Sequence, residues 1–290
     1  MLGMGDGIHQ RAVVRKLLPD YDIYLETTWP VLFHDMPEVK LIRRHTNLRT
    51  QTKNAVREAG FFIENPPFIP LVKKVWYRPA DVRRHGSVLG AMLGNLGLSK
   101  DGADFSFPLK QEWIDKAGKI TNTKKPILIY RPLVERKEWG GCANRNPDIE
   151  AYDELFSSVR DDFFVISVAD LIDGVEWIVS KPIKADLEFH KGELPVEILA
   201  ALVSHAALTF NSPGFMSILS RAVGTPNICV FGGYENSRSF ALGEGFYLGI
   251  DPENPCQCFS HTHSCDKRID VYKAKKQIKE FLHDIAANRD

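Results

Sequence analysis

Four stretches of this chain combine residue types that could do chemistry. The first is Asn211-Ser212-Pro213-Gly214, followed by Phe215 and Met216. It reads as a tight turn between a short apolar run and a helix. The unpaired N–H groups at a helix start favour an anion, above all a phosphate. The competing reading is a plain strand–helix turn with Ser212 as the N-cap. The second is Pro132–Trp139, a loop behind the apolar run Pro126–Arg131, with Lys137 as its leading cation. A cation at the carboxyl end of a strand is well placed to pair with a diphosphate, and Arg131 and Arg145 are further candidates for that work. The third is Gly3-Met4-Gly5-Asp6-Gly7. Glycines there let a ligand approach the backbone, and a helix dipole would keep Asp6 ionised. Asp6 could equally be a cap for a helix over residues 9–18. The fourth is Cys256, Cys258, His261, His263 and Cys265. These ligand types suit zinc, but C-x-C and H-x-H are tighter than zinc-finger knuckles. The reading taken is a cluster without metal.

The elements that must position these residues follow from apolar spacing. Residues 195–205 carry Ile198, Leu199, Leu202 and Val203 at helical intervals. Residues 206–210 and 227–231 are short apolar runs that read as buried strands. A helix from Phe215 ends at Gly224-Thr225-Pro226. Helix, strand, turn, helix, strand and glycine loop is the order of a parallel α/β sheet, and ligands of such sheets sit beyond the carboxyl ends of the strands. Further strands are expected over 22–27, 39–42, 126–131, 163–168, 175–179 and 186–189. Helices are expected over 51–60, 79–98, 111–117, 149–159 and 271–287. Residues 118–125 are polar and aperiodic, so they read as a linker.

A chain of 290 residues is long enough for two domains. Its 44% hydrophobic and 26% charged residues are those of a soluble globular protein. No apolar run is long enough to span a bilayer, and the first residues carry no signal-peptide core, so a cytoplasmic location is expected. Residues 1–118 hold about 17 Lys/Arg against 13 Asp/Glu. That mildly basic half fits an anionic acceptor or a membrane surface, as well as an ordinary solvated face.

The order of small helix, strand, Ser-Gly turn, helix, Gly-Thr-Pro, strand and Phe231-Gly232 resembles the donor half of glycosyltransferase family 9, the lipopolysaccharide heptosyltransferases. Met4-Gly5-Asp6 matches the family's opening motif, and Lys137-x-Trp139 its Lys-x-Trp. The chain departs from the family in the turn, where an acidic residue is usual, and in leaving no room for a strand ahead of Gly3. The resemblance implies a GT-B fold, two Rossmann-like α/β domains facing each other across a cleft. Residues 1–118 would bind the acceptor, without the opening strand. Residues 119–270 would bind the nucleotide-sugar donor, and helix 271–290 would pack back on the first domain. It implies transfer of a sugar from a nucleotide-diphosphate donor to an acceptor hydroxyl, with no other cofactor and no catalytic metal. Asp6 would be the base. Arg131, Lys137, Ser212, Gly214, Phe215 and Met216 would face the donor phosphates, and Glu188 and His190 the nucleoside.

The acceptor would be anionic: lipopolysaccharide core, another glycan or a nucleic acid. Arg43, Arg44 and Arg49 would stand on its side, with contact at the inner face of the membrane. Two alternatives share this fold: a transferase acting on hydroxymethylated DNA bases, and a nucleotide-sugar binding protein without catalysis.

Overall fold

The computed structural model describes residues 3–68, 70–139, 143–240, 247–260 and 264–288. The chain divides into two compact units, Met1–Pro108 and Leu109–Asp290.

In the first unit α1 (Met4–Leu17) is followed by β1 (Tyr24–Thr27) and β2 (Lys40–Arg43). These strands pair in parallel, Tyr24 opposite Lys40 and Thr27 opposite Arg43. Helices α2 (Arg49–Arg57), α3 (Pro79–His85) and α4 (Val88–Gly94) complete the unit. Its core is made by Ile8, Ala12 and Val13 of α1, Leu32 and Phe33 of a 3-10 turn, and Ala91, Met92 and Leu93 of α4. The guanidinium of Arg11 is fully buried and makes a bidentate pair with Asp35, both contacts 2.8 Å; it also donates to the carbonyls of Leu32 and Ser106. A charge taken from water persists because every face of it is bonded.

Two sequence expectations change here. The helix expected over 9–18 starts at Met4, so Gly5-Asp6-Gly7 is its first turn and no ligand loop. Gly7 is there for packing: a Cβ would stand 3.2 Å from Leu32 and 3.4 Å from Trp29. The single helix expected over 79–98 is two. Gly86 ends α3 with φ +79°, and the hydroxyl of Ser87 caps α4 by accepting from Gly90 N at 3.0 Å. Gly94 leaves space for the ring of His85, which a Cβ would strike at 2.3 Å.

In the second unit six parallel strands form one sheet. They are β3 (Ile127–Tyr130), β5 (Phe164–Val168), β7 (Leu187–Phe189), β8 (Leu208–Asn211), β9 (Asn227–Val230) and β10 (Tyr247–Ile250), in the spatial order β10-β9-β8-β3-β5-β7. The pair β4 (Val134–Arg136) and β6 (Glu176–Ile178) is antiparallel and separate. Helices α5 (Gln111–Gly118), α6 (Ile149–Ser157), α7 (Val196–His205), α8 (Phe215–Ala222) and α9 (Val271–Ala287) cover the strands. Tyr130, Tyr152, Phe156 and Phe210 meet in the core, with the Tyr130 and Phe156 rings 4.1 Å apart. Each such buried side chain contributes roughly 1.5–3 kcal/mol.

The boundary between units falls at 108/109, ahead of the expected linker 118–125. The cause is α5, which packs on α7 and buries Trp113 and Ala117. Helix α9 buries Ala274, Ile278 and Ile285 in the core of this second unit, against α6 and β10. Strand β10 carries too little periodicity to be expected from sequence. Among the described residues no helix is long and apolar enough to cross a membrane.

Candidate functional site

The strand order reverses at β3. The chain leaves it outward through β5 and β7, then returns to β8 on its other side. Ligands of open α/β sheets bind in the crevice outside such a reversal. The carboxyl ends of β3 and β8 border that crevice.

Arg131 follows β3 directly. Its N–H donates to Phe210 O of β8 at 3.0 Å, and its carbonyl accepts from the Tyr152 hydroxyl at 2.7 Å. The backbone is thus fixed from both sides. Its guanidinium lies 4.8 Å from the ring centroid of Phe215, the first residue of α8. Burial, then the nearby Arg136 cation, pulls its pKa down to about 10, which leaves it protonated at neutral pH. No described residue forms an ion pair or hydrogen bond with the guanidinium. Arg136 is engaged by Glu176 at 2.9 Å, and Arg145 by the buried Glu235.

Helix α8 begins behind Gly214, with no side chain capping its first turn. Its position is set from behind. Asn211 is wholly buried at the end of β8, and its Oδ1 accepts from Ser217 Oγ of α8 at 2.5 Å. Thr209 of β8, Ser220 of α8 and Asn227 of β9 form a second buried set: Thr209 and Ser220 share a bond of 2.9 Å, and Asn227 Nδ2 donates to Thr209 Oγ1 at 2.7 Å. Buried hydroxyls and amides bonded to one another in this way hold one geometry, although Asn227 Oδ1 has no partner among the described residues. Asn211 Nδ2 is left without a partner among the described residues. The first turn of α8 and the Arg131 cation thus offer positive potential side by side, which suits an anion.

The other expected residues fall at several distances from this point. Ser212 precedes Gly214 and is not the cap. The turn is one residue shorter than expected, because Asn211 belongs to β8. Met216 is buried in α8. Lys137 is exposed in a 3-10 turn beyond β4, its N–H donating to Val175 O at 2.8 Å. Register aligns Tyr130 with Ser167 and Ser167 with Glu188, so Arg131, Ser167 and Glu188 follow the same sheet edge. His190 Nε2 and Ser167 Oγ share a hydrogen bond of 2.8 Å, and the exposed Glu188 carboxylate lies 3.7 Å from His190 Nδ1.

In the first unit Asp6 occupies the first turn of α1. Its Oδ2 accepts from Gly3 N at 2.8 Å and its Oδ1 from the Tyr77 hydroxyl at 3.2 Å. Tyr77, separated from Asp6 by 71 positions, carries no local signal that could have found it. Arg43 ends β2, and Arg44 and Arg49 follow at the same strand end; Arg43 is exposed and the other two are half-buried.

Cys256, Cys258 and Cys265 place their sulfurs within 4.8 Å of one another. His261 and His263 lie outside the described residues.

The chain matches a glycosyl transferase family 9 structure from Veillonella parvula at TM-score 0.61 and 12% identity, over 98% of this chain and 95% of that one. The fold is that of glycosyltransferase family 9. A second match is the iron-containing dodecameric glycosyltransferase TibC from enterotoxigenic E. coli, at TM-score 0.66 and 13% identity, over 100% of this chain and 75% of that one. A third is the E. coli ADP-heptose lipopolysaccharide heptosyltransferase II, at 0.51 and 12%, over 97% and 96%. The parallel α/β architecture is therefore the GT-B class expected from sequence. No protein-family model and no curated protein matches the chain. At such identities the likeness is one of fold, and activity has to be argued from the site.

Proposed function

We propose that the chain is a glycosyltransferase that moves a sugar from a nucleoside-diphosphate donor to the hydroxyl of an anionic acceptor. The observation that carries this reading is the half-buried Arg131 guanidinium, without an ion pair or hydrogen bond among the described residues, against the uncapped start of α8 at the strand reversal. A diphosphate would accept from Arg131 and from the first amides of α8, Gly214 to Met216. Ser212 and Lys137 would add contacts at its edge. Glu188 and His190, farther along the same strand ends, would take the ribose hydroxyls of the nucleoside. A relative in fold, TibC, has been solved with ADP-D-beta-D-heptose, which supports this class of donor.

In the transfer step the acceptor hydroxyl attacks the anomeric carbon. The bond from that carbon to the phosphate oxygen breaks, and the diphosphate departs with the electron pair. Arg131 and the helix start stabilise that charge. Asp6 takes the acceptor's proton. Arg43, Arg44 and Arg49 supply positive charge for an acceptor such as a lipopolysaccharide core, another glycan or a nucleic acid, with contact at a membrane surface in the first case.

A second reading has one observation in its favour. Both oxygens of Asp6 already accept hydrogen bonds, from Gly3 and Tyr77, as they would in a nucleotide-sugar binding protein without catalysis. A screen of nucleotide sugars separates the two. The transferase releases free nucleoside diphosphate from one donor, faster with acceptor present. Donor binding that stabilises the fold without any release selects the binding protein, and binding of no donor rejects both.

A further inference from the structure

We propose that Cys256, Cys258 and Cys265 form a thiolate site for a thiophilic divalent cation, zinc or iron, which fastens their loop to the end of β9. The site is separate from the sugar-transfer reading and does not depend on it.

The sulfur geometry comes first. Cys265 Sγ lies 3.0 Å from Cys256 Sγ and 3.5 Å from Cys258 Sγ, and all three lie within 4.8 Å of one another. These separations exceed the ~2.05 Å of a disulfide bond. The 3.5 Å separation lies close to the roughly 3.8 Å between two sulfurs on one tetrahedral zinc with bonds of about 2.3 Å, and the 3.0 Å pair would open by a few tenths of an ångström or more to admit the cation. Thiols are weak donors and acceptors, so three neutral ones gain little from such crowding. Three thiolates around a cation gain a great deal, since their negative charges then face a common positive one.

The backbone is shaped to the same end. Gln257 (φ 52°) and Phe259 (φ 51°) are the positive-φ residues other than glycine among the described residues, and each directly follows a cysteine. A non-glycine residue in that region costs roughly 1–3 kcal/mol and needs its surroundings to hold it. Here the backbone is held by bonds to the segment after β9: Gln257 N donates to Gly233 O at 2.9 Å and Phe259 N to Tyr234 O at 3.2 Å. Gly233 itself has φ +87°, and its α-carbon leaves a gap of only 3.5 Å between a would-be Cβ and Cys265 Cβ. Ser260 N approaches Cys258 Sγ at 3.4 Å. Amide donors around the sulfurs are the usual outer partners of metal thiolates. Three sulfurs supply three corners of a tetrahedron, and a nitrogen, sulfur or oxygen donor would supply the fourth.

The spacing objection raised from the sequence fades against this arrangement. A C-x-C pair is too tight for a finger knuckle when its backbone is ordinary. A left-handed residue between the two cysteines changes the direction of the chain, and Cys265 returns from seven positions later.

The test uses the full chain, purified under reducing conditions from medium supplemented with zinc and iron. Elemental analysis should find about one zinc or iron per chain, and which of the two it is identifies the cation. A chelator should remove it and lower Tm. The double variant Cys256→Ser/Cys265→Ser should retain less than about a tenth of that metal. Should the variant fail to fold, wild-type protein stripped and refilled with cobalt gives the same information, through an intense thiolate-to-cobalt charge-transfer band. Metal below about a tenth of an equivalent, with no such band on cobalt addition, overturns the proposal. So does an intact mass two hydrogens short of the reduced chain, which would mean a disulfide.

Discussion

Two helices that follow glycines, α1 and α8, carried the two main expectations for chemistry, and their first turns are finished differently. The start of α1 is closed. Asp6 takes the N–H of Gly3 and the hydroxyl of Tyr77, and Gly7 is pressed against Trp29 and Leu32. The start of α8 carries no side-chain cap and faces a cation that no described residue bonds. Similar sequence signals thus end in different states. A carboxylate three residues into a helix satisfies the helix's own donors. A helix entered through extended glycine, with its polar side chains bonded to the strands behind, leaves its donors for something else.

The sharpest way to break this comparison is Asp6→Asn. As a base, Asp6 has a carboxylate that asparagine cannot replace, and turnover should fall by roughly 10²–10⁴ with donor affinity unchanged. As a cap alone, asparagine serves about as well, and turnover would stay. Steady-state kinetics with donor binding on that one variant decides between them.

Acid should act on α1 and spare α8. His9 is buried on α1, and neither ring nitrogen has a hydrogen-bond partner among the described residues. Desolvation pulls its pKa down to about 4. Between that value and the ordinary 6.5 the unfolded chain binds a proton at His9 and the folded chain does not. Stability contributed by neutral His9 is therefore present above pH 6.5 and lost as the pH falls towards 4. The loss should reach roughly 2–3 kcal/mol at pH 4.5 relative to pH 7.5. Urea unfolding at the two values should show that difference in the wild type and a reduced one in His9→Leu.

At α8 the expected order is Arg131 above Lys137. Removing a charged hydrogen-bonding partner costs about 1.5–3 kcal/mol, so Arg131→Met should weaken nucleoside-diphosphate binding by roughly 10- to 100-fold. Lys137→Ala, at an exposed turn, should change it by about threefold or less. Calorimetry on both variants would reverse the assignment if Lys137 gave the larger loss.

The smallest effect expected is at Ser212. An N-cap serine costs about 1 kcal/mol when replaced by alanine. Since Gly214 holds that position without a side-chain bond, Ser212→Ala should move stability by less than about 0.5 kcal/mol. A drop in Tm matching a lost cap would close the α8 start as α1 is closed.

Much of the second unit was legible from its residues. Runs such as Ile127–Tyr130, Phe164–Val168 and Leu208–Phe210 are mostly apolar, broken only by the hydroxyls Ser167 and Thr209, because a parallel strand covered on both faces needs apolar side chains on both. Gly224-Thr225-Pro226 ends α8 where glycine and proline require it. The first unit was less legible. The break at Gly86 and Ser87 depends on the packing of His85 against Gly94, and a single glycine in an apolar helical pattern does not announce that.

By itself the sequence determined the alternation of strands and helices, the carboxyl-end loops and the charges present on them, since periodicity and turn residues are local properties. Only the tertiary structure decided which charges are engaged. Arg136 and Arg145 carry the same charge as Arg131, but Glu176 and Glu235 reach them from 40 and 90 positions away, and no described carboxylate reaches Arg131. Tyr77, 71 positions away, reaches the second oxygen of Asp6, and no local pattern shows that contact. The left-handed residues Gln257 and Phe259, which turn the chain beside the cysteines, are likewise a product of the folded structure. Electrostatics and coordination act through distances in space, and those depend on contacts between residues far apart in the chain.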